Sequence, residues 1–99
     1  MFFIKKYILD GHVGAGYGVS DESLRKFCIK SACETGIILE RIYTGKAMFG
    51  LMKEVKSNPG RFQGNKIMFV HTGGIYGFLD RSMDADLGAF NPIKMNFFK

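Results

Sequence analysis

Thr44, Gly45 and Lys46 stand at the head of an apolar run in ERIYTGKAMFGLM, residues 40–52. A hydroxyl, a flexible turn and a cation at a helix start are the parts of a phosphate cradle. The Walker version needs GxxxxGK followed by Ser or Thr, because backbone amides wrap the phosphates and the hydroxyl holds magnesium. Here the position five before Gly45 is Glu40, and Lys46 is followed by Ala47, so the spacing fails at both ends. GAGYG fails as a dinucleotide fingerprint: GxGxxG counted from Gly14 puts Val19 at the third glycine, with no strand pattern immediately before it. Gly14, Gly16 and Gly18 still imply a chain that turns tightly or admits something close to its backbone. Composition favours the plain turn over a ligand loop.

The other candidate side chains each have a structural and a chemical reading. His12 and His71 lie far apart with no nearby nucleophile, so their spacing supports neither a triad nor a metal site. Tyr17 and Tyr43 adjoin glycines; such rings often pack, yet a tyrosine at a turn can also stack on a ligand or donate a proton. Thr44 and Thr72 each precede glycine, where a helix cap accounts for the hydroxyl. Met48, Leu51 and Met52 recur at helical spacing and read as a core stripe. Cys28 and Cys33, five apart, point to different sides of a helix, and no CxxC or Cys/His spacing suggests a metal.

The elements that must position these residues follow from the periodicity. YGVSDESLRKFCIKSACETG starts a helix at Ser20 or Asp21, repeats Leu24, Phe27, Cys28 and Ala32 on one face, and stops at Gly36. IILERIY suits a buried strand or an extended connector. TGKAMFGLMKEVKSNPG is a second helix with Ala47, Met48, Leu51, Met52 and Val55 on one face. NKIMFVH reads as a strand covered on both faces, followed by TGG and a short helix in IYGFLDR. This order predicts an α/β layer with parallel strands, whose ligands sit beyond the strands' carboxyl ends, where YTG and HTGG fall. After Asp80 the periodicity fades, and residues 81–99 are expected to be an irregular tail.

Composition narrows the setting. With 99 residues the chain is one domain or a piece of one, and so short a chain buries a core only marginally. A net charge of +5 invites a nucleic-acid or membrane reading, but the lysines and arginines are scattered along the chain without the clustered stripe a phosphate backbone requires. No run approaches the roughly 18 apolar residues of a membrane span. MFFIKKYILDG places its lysines after its apolar residues, the reverse of a signal peptide, and the two unpaired-looking cysteines suit a reducing compartment. The expected location is cytoplasmic, with an organellar address upstream left open.

Taken in order, GYG, the first helix, ETGIILERIYTGKAMFGLM and GRFQGNKIMFVHTGG resemble the C-terminal part of the D-cysteine desulfhydrase and 1-aminocyclopropane-1-carboxylate deaminase family. The resemblance covers about Asp10 to Leu79. It implies a pyridoxal 5'-phosphate enzyme with a tryptophan synthase β-like fold, a three-layer sandwich of mainly parallel strands of which residues 1–80 would form a C-terminal part. Tyr17 then matches the family's GYG tyrosine beside the cofactor ring, and Tyr43 the active-site tyrosine of YTG or YEG, a candidate acid/base. Thr44 matches the position facing the pyridine nitrogen, glutamate in the deaminases and threonine in the desulfhydrases. Thr72 follows the last strand's histidine, where deaminases typically carry leucine and desulfhydrases threonine.

Both discriminating positions are therefore desulfhydrase-like. A carboxylate beside the ring nitrogen favours its protonation and deepens the electron sink, whereas a neutral hydroxyl supplies no such charge. The resemblance thus implies β-elimination from D-cysteine or a related amino acid, with the deaminase as the alternative and a non-catalytic anion-binding remnant as another. Ala15 and His12 depart from the family's usual proline and tyrosine, which bears on loop shape. The Schiff-base lysine and the phosphate loop lie upstream in the family, and Lys46 matches only the lysine of YTGK. The chain is accordingly expected to be an inactive C-terminal piece whose partners are an amino-acid substrate, the missing N-terminal part and, at full length, a second copy.

Overall fold

A computed structural model of the chain describes residues 8–89. Helix α1, Glu22–Thr35, begins where Asp21, in extended backbone, turns its carboxylate back to accept the Leu24 N–H at 2.8 Å. Glu22 adds negative charge to the same end, where the helix dipole favours it. The helix stops at Gly36, whose φ of 74° is left-handed and whose N–H returns to the Ala32 carbonyl at 3.0 Å. Both ends lie where the sequence pattern puts them. Helix α2, Thr44–Ser57, is followed by a 3₁₀ turn at Pro59–Arg61, then by two short helices, α3 (Tyr76–Leu79) and α4 (Asp84–Ala89).

The core is small. Leu24, Cys28 and Ile29 of α1 are buried with Leu39, Phe78 and Met83, and Phe27, Ala32, Ile38, Met48, Phe49 and Phe69 pack around them. The α1 face agrees with its predicted spacing. On α2 the expected stripe is only half right: Met48, Leu51 and Val55 are partly covered, while Ala47 and Met52 are exposed. The residues that α2 buries are Thr44, Gly45 and Gly50. A Cβ at Gly45 would collide with the Glu40 carbonyl and lie 2.6 Å from Cys28 Sγ, and one at Gly50 would lie 2.7 Å from the His12 ring. Helix α2 therefore meets its neighbours through backbone at two glycines, with the rings of Phe27 and Phe49 packed at a tilt, centroids 5.1 Å apart.

The predicted α/β layer is not what forms. Among the described residues there is no strand and no sheet, so the parallel-strand sandwich expected from IILERIY and NKIMFVH is corrected to a helical arrangement with extended connectors. The reason lies in where the backbone groups go, since a strand needs a ladder of N–H and C=O partners on a neighbouring strand. Here the Ile37 N–H goes to Thr35 Oγ1, the Ile38 carbonyl to the His71 ring, and the Glu40 N–H to Thr44 Oγ1. Side chains satisfy this connector. In the other segment Ile67, Met68 and Val70 are exposed, so its apolar run is not covered on both faces as a buried strand requires. The stretch after Asp80 is partly regular, because Met83 is fully buried and α4 is tied to α1 through Arg25 and Asp86 at 2.8 Å. Residues 1–7 and 90–99, including much of the expected tail and the N-terminal apolar stretch, lie outside the described residues.

Because Gly45 has no room for a methyl, Gly45→Ala should destabilise the chain by about 1–3 kcal/mol. Gly60→Ala, which meets nothing within 4 Å, should differ little from the parent. Chemical denaturation of the two variants checks the difference.

Candidate active site

Glu40 is where the local geometry starts. It is 2% exposed, and its side chain folds forward onto the turn that opens α2. Oε2 accepts the Ile42 N–H at 2.6 Å, while Oε1 accepts those of Tyr43 at 2.6 Å and Thr44 at 2.7 Å. The Glu40 carbonyl takes the Gly45 N–H at 2.7 Å. Glu40 thus gathers the N–H groups of residues 42–45, three of which the helix start leaves without intrahelical partners. A buried carboxylate held by several N–H groups avoids the desolvation cost of an unpaired one.

Thr44, 3% exposed, belongs to this knot. Its hydroxyl accepts the Glu40 N–H at 3.0 Å and donates to Glu40 Oε1 at 3.3 Å. Tyr43, the residue before it, points the other way and is 57% exposed. Its hydroxyl makes a short hydrogen bond with that of Tyr17, itself 77% exposed, and the two rings meet edge-on with centroids 6.0 Å apart. The structure therefore brings together the two tyrosines singled out in the sequence, 26 residues apart, as an exposed phenol pair.

The glycine loop that carries Tyr17 is held down at several points. Lys46 donates to the Gly16 carbonyl at 2.8 Å and Arg41 to the Gly18 carbonyl at 2.5 Å. His12 lies against Gly50 and donates to Glu54 Oε1 at 3.1 Å. Between this loop and the start of α2 opens a cavity of about 320 Å³, lined by both tyrosines, Lys46, Asp10 and the apolar Leu9, Val13 and Ile42 among others. Thr72 is exposed in the turn after His71 and is not among the described residues lining that cavity. His71 holds this turn to the connector: Nε2 donates to the Ile38 carbonyl at 2.8 Å and Nδ1 accepts the Gly73 N–H at 3.0 Å, which defines the tautomer. Both histidines thus have structural engagements.

The electrostatics follow from these contacts. The hydrogen bond that the Tyr43 hydroxyl gives to Tyr17 is the main reason its phenol ionises above its ordinary value, with desolvation and the Glu40 charge adding to it. At neutral pH Tyr43 is a proton donor rather than a phenolate base. His12, above all, holds the Glu54 carboxyl below the usual range, helped by Asn58 and Arg61. Burial pushes the Cys28 thiol up to about 11 and keeps it from acting as a nucleophile, whereas Cys33 is exposed. In the sequence Glu40 stands out only as a misplaced P-loop position. The signal that finds it is an acid a few residues before a helix whose own N-cap residue, a tyrosine, cannot cap.

Over 68 residues, 69% of the chain, it is 41% identical to a bifunctional D-cysteine desulfhydrase/1-aminocyclopropane-1-carboxylate deaminase of Arabidopsis thaliana, named as mitochondrial. The resemblance to the desulfhydrase/deaminase family holds. The matched segment is 17% of that relative's length, so the chain corresponds to a small part of it. No family model matches the chain, and no solved structure does. No helix among the described residues is long and apolar enough to cross a membrane.

If Tyr17 sets the ionisation of Tyr43, Tyr17→Phe should bring the Tyr43 phenol back down toward 10.0. The sign is that of a raised folded-state value: the stabilisation from the pair is present below the ordinary phenol pKa and is lost as pH rises through the raised one. Ultraviolet titration of tyrosinate formation in parent and variant checks both points.

Proposed function

We propose that this chain is the C-terminal, cofactor-facing part of a pyridoxal phosphate-dependent desulfhydrase that converts D-cysteine or a related amino acid, with water, to pyruvate, ammonia and sulfide. The observation that carries this reading is the exposed Tyr17–Tyr43 pair, built from the two residues that match the family's cofactor-side tyrosines. The residues present fit such a group. Two phenols, Lys46, Asp10 and His12 border an open cavity whose other walls are apolar, suited to the edge and face of an aromatic ring.

In this reading Tyr17 lies along the ring and Tyr43 acts at its hydroxyl. Tyr43 is protonated at neutral pH and can give its proton to the departing thiolate, while its contact with Tyr17 orients the hydroxyl. By the family match Thr44 would face the ring nitrogen; here it is buried, is not among the described residues lining the cavity, and its hydroxyl, engaged by Glu40, would bring no charge of its own. The cofactor, when bound, supplies the electron sink that lets the α-proton and then the β-thiol leave. Lys46 is committed to the Gly16 carbonyl, which supports an anchoring lysine elsewhere in the full-length enzyme. Residue types at Thr44 and Thr72 favour thiol elimination over cyclopropane opening. A homodimer in the cytoplasm or an organelle completes the proposal for the whole protein.

The complete enzyme carrying this segment should release sulfide from D-cysteine faster than it forms 2-oxobutanoate from 1-aminocyclopropane-1-carboxylate, and the 99-residue chain alone should do neither. Product assays on both preparations check this; the opposite preference would make the deaminase the better reading, and salt-sensitive anion binding without turnover the remnant. In the complete enzyme Thr44→Glu should alter cofactor absorbance and lower elimination about tenfold or more, equivalent to about 1.4 kcal/mol of barrier. Unchanged spectra and rates would count against a role for Thr44 at the ring nitrogen.

A further inference from the structure

Helix α2 has an unusual division of labour at its start. Its N-cap residue is Tyr43, which makes no side-chain capping bond. Serine, threonine, aspartate and asparagine are the residues that normally hold this position, because their short side chains reach the N2 or N3 amide. Here Glu40, three residues upstream, takes the N-cap and N1 amides on its carboxylate and the N2 amide on its backbone carbonyl, and the N-cap side chain is left to project outward as an exposed phenol. The helix is capped without using the residue at its cap.

The Glu40 side chain is also held from behind. A Cβ at Gly74, where φ is 88°, would fall 2.8 Å from Glu40 Cγ, and one at Gly77 would fall 3.1 Å from Oε2. The turn after His71 and the start of α3 therefore press their backbone onto the carboxylate. We propose that Glu40 is the positioning residue of this site. Its buried carboxylate, gripped by Gly74 of the HTGG turn and Gly77 of α3, collects the amides of residues 42–44. It thereby sets where the Tyr43 phenol meets Tyr17 and where the Thr44 hydroxyl is held. What the positioned phenol does in catalysis rests on the function proposed above; the positioning itself does not.

The test is a pH titration of the 99-residue chain labelled with ¹³Cζ-tyrosine, which separates its four tyrosines. Glu40→Gln keeps the shape but turns an amide NH₂ toward backbone N–H groups. With helices intact by circular dichroism, it should move the Tyr43 resonance and lower its ionisation midpoint toward that of an ordinary phenol. Glu34→Gln, an exposed carboxylate at the end of α1, should leave both unchanged. If Glu40→Gln loses its helices, Gly77→Ala decides. It keeps the charge and displaces Oε2 by a few tenths of an ångström, and the Tyr43 resonance must move with it. An unmoved Tyr43 resonance in the variant that keeps its helices overturns the proposal and leaves the cofactor reading intact. Absence of turnover by the complete enzyme, with Tyr43 shifted as expected, would instead sink the cofactor reading alone.

Discussion

A carboxylate removed from water has to find donors, and Glu40 finds them in the backbone it precedes. Three amides and the Thr44 hydroxyl converge on it, so the connector after α1, the turn at Ile42 and Tyr43 and the first turn of α2 become one unit. Breaking such an arrangement leaves buried polar groups unpaired, at about 1–3 kcal/mol each. In a chain whose apolar core is as small as this one, that is a large share of what can hold it together. The glycines pressed against Glu40 extend the same constraint to the HTGG turn.

A second set of contacts keeps the glycine loop over this unit. Lys46 and Arg41 bind its carbonyls, and His12 seats against Gly50 while paired with Glu54. Lys46 and Arg41 thus direct their charge at local backbone carbonyls. The outcome is an exposed pair of phenols carried by two segments that are each fastened to α2. Only a pair fastened from both sides can keep one phenol's proton under the influence of the other.

Much of the helical content was legible in the chain. Asp21 and Gly36 bound α1 because cap chemistry is local, and its buried face follows from the three and four spacing of Leu24, Phe27 and Cys28. That IILERIY and NKIMFVH would not form strands was not legible, because a run such as NKIMFVH states only that its side chains are apolar. Whether it pairs depends on a neighbour that no local pattern names, and the described residues hold none. The packing face of α2 was missed for a related reason. Periodicity counts large apolar residues, and the closest approaches are made at Gly45 and Gly50, where a side chain is lacking.

The candidate site divides along the same line. Residue types and their order were enough to single out Tyr17, Tyr43, Thr44 and Thr72 and to connect them with desulfhydrases and deaminases, since a reacting group is a matter of chemical identity. That Tyr17 and Tyr43 touch, that Thr44 turns inward while its neighbour turns out, and that Thr72 stands apart from their cavity are facts of distance. Tertiary structure alone decided them, because hydrogen-bond geometry and burial are set by what surrounds a residue rather than by what it is. Glu40 illustrates the difference: in the sequence it is one acid among nine, and in the fold it is the group on which the turn is built.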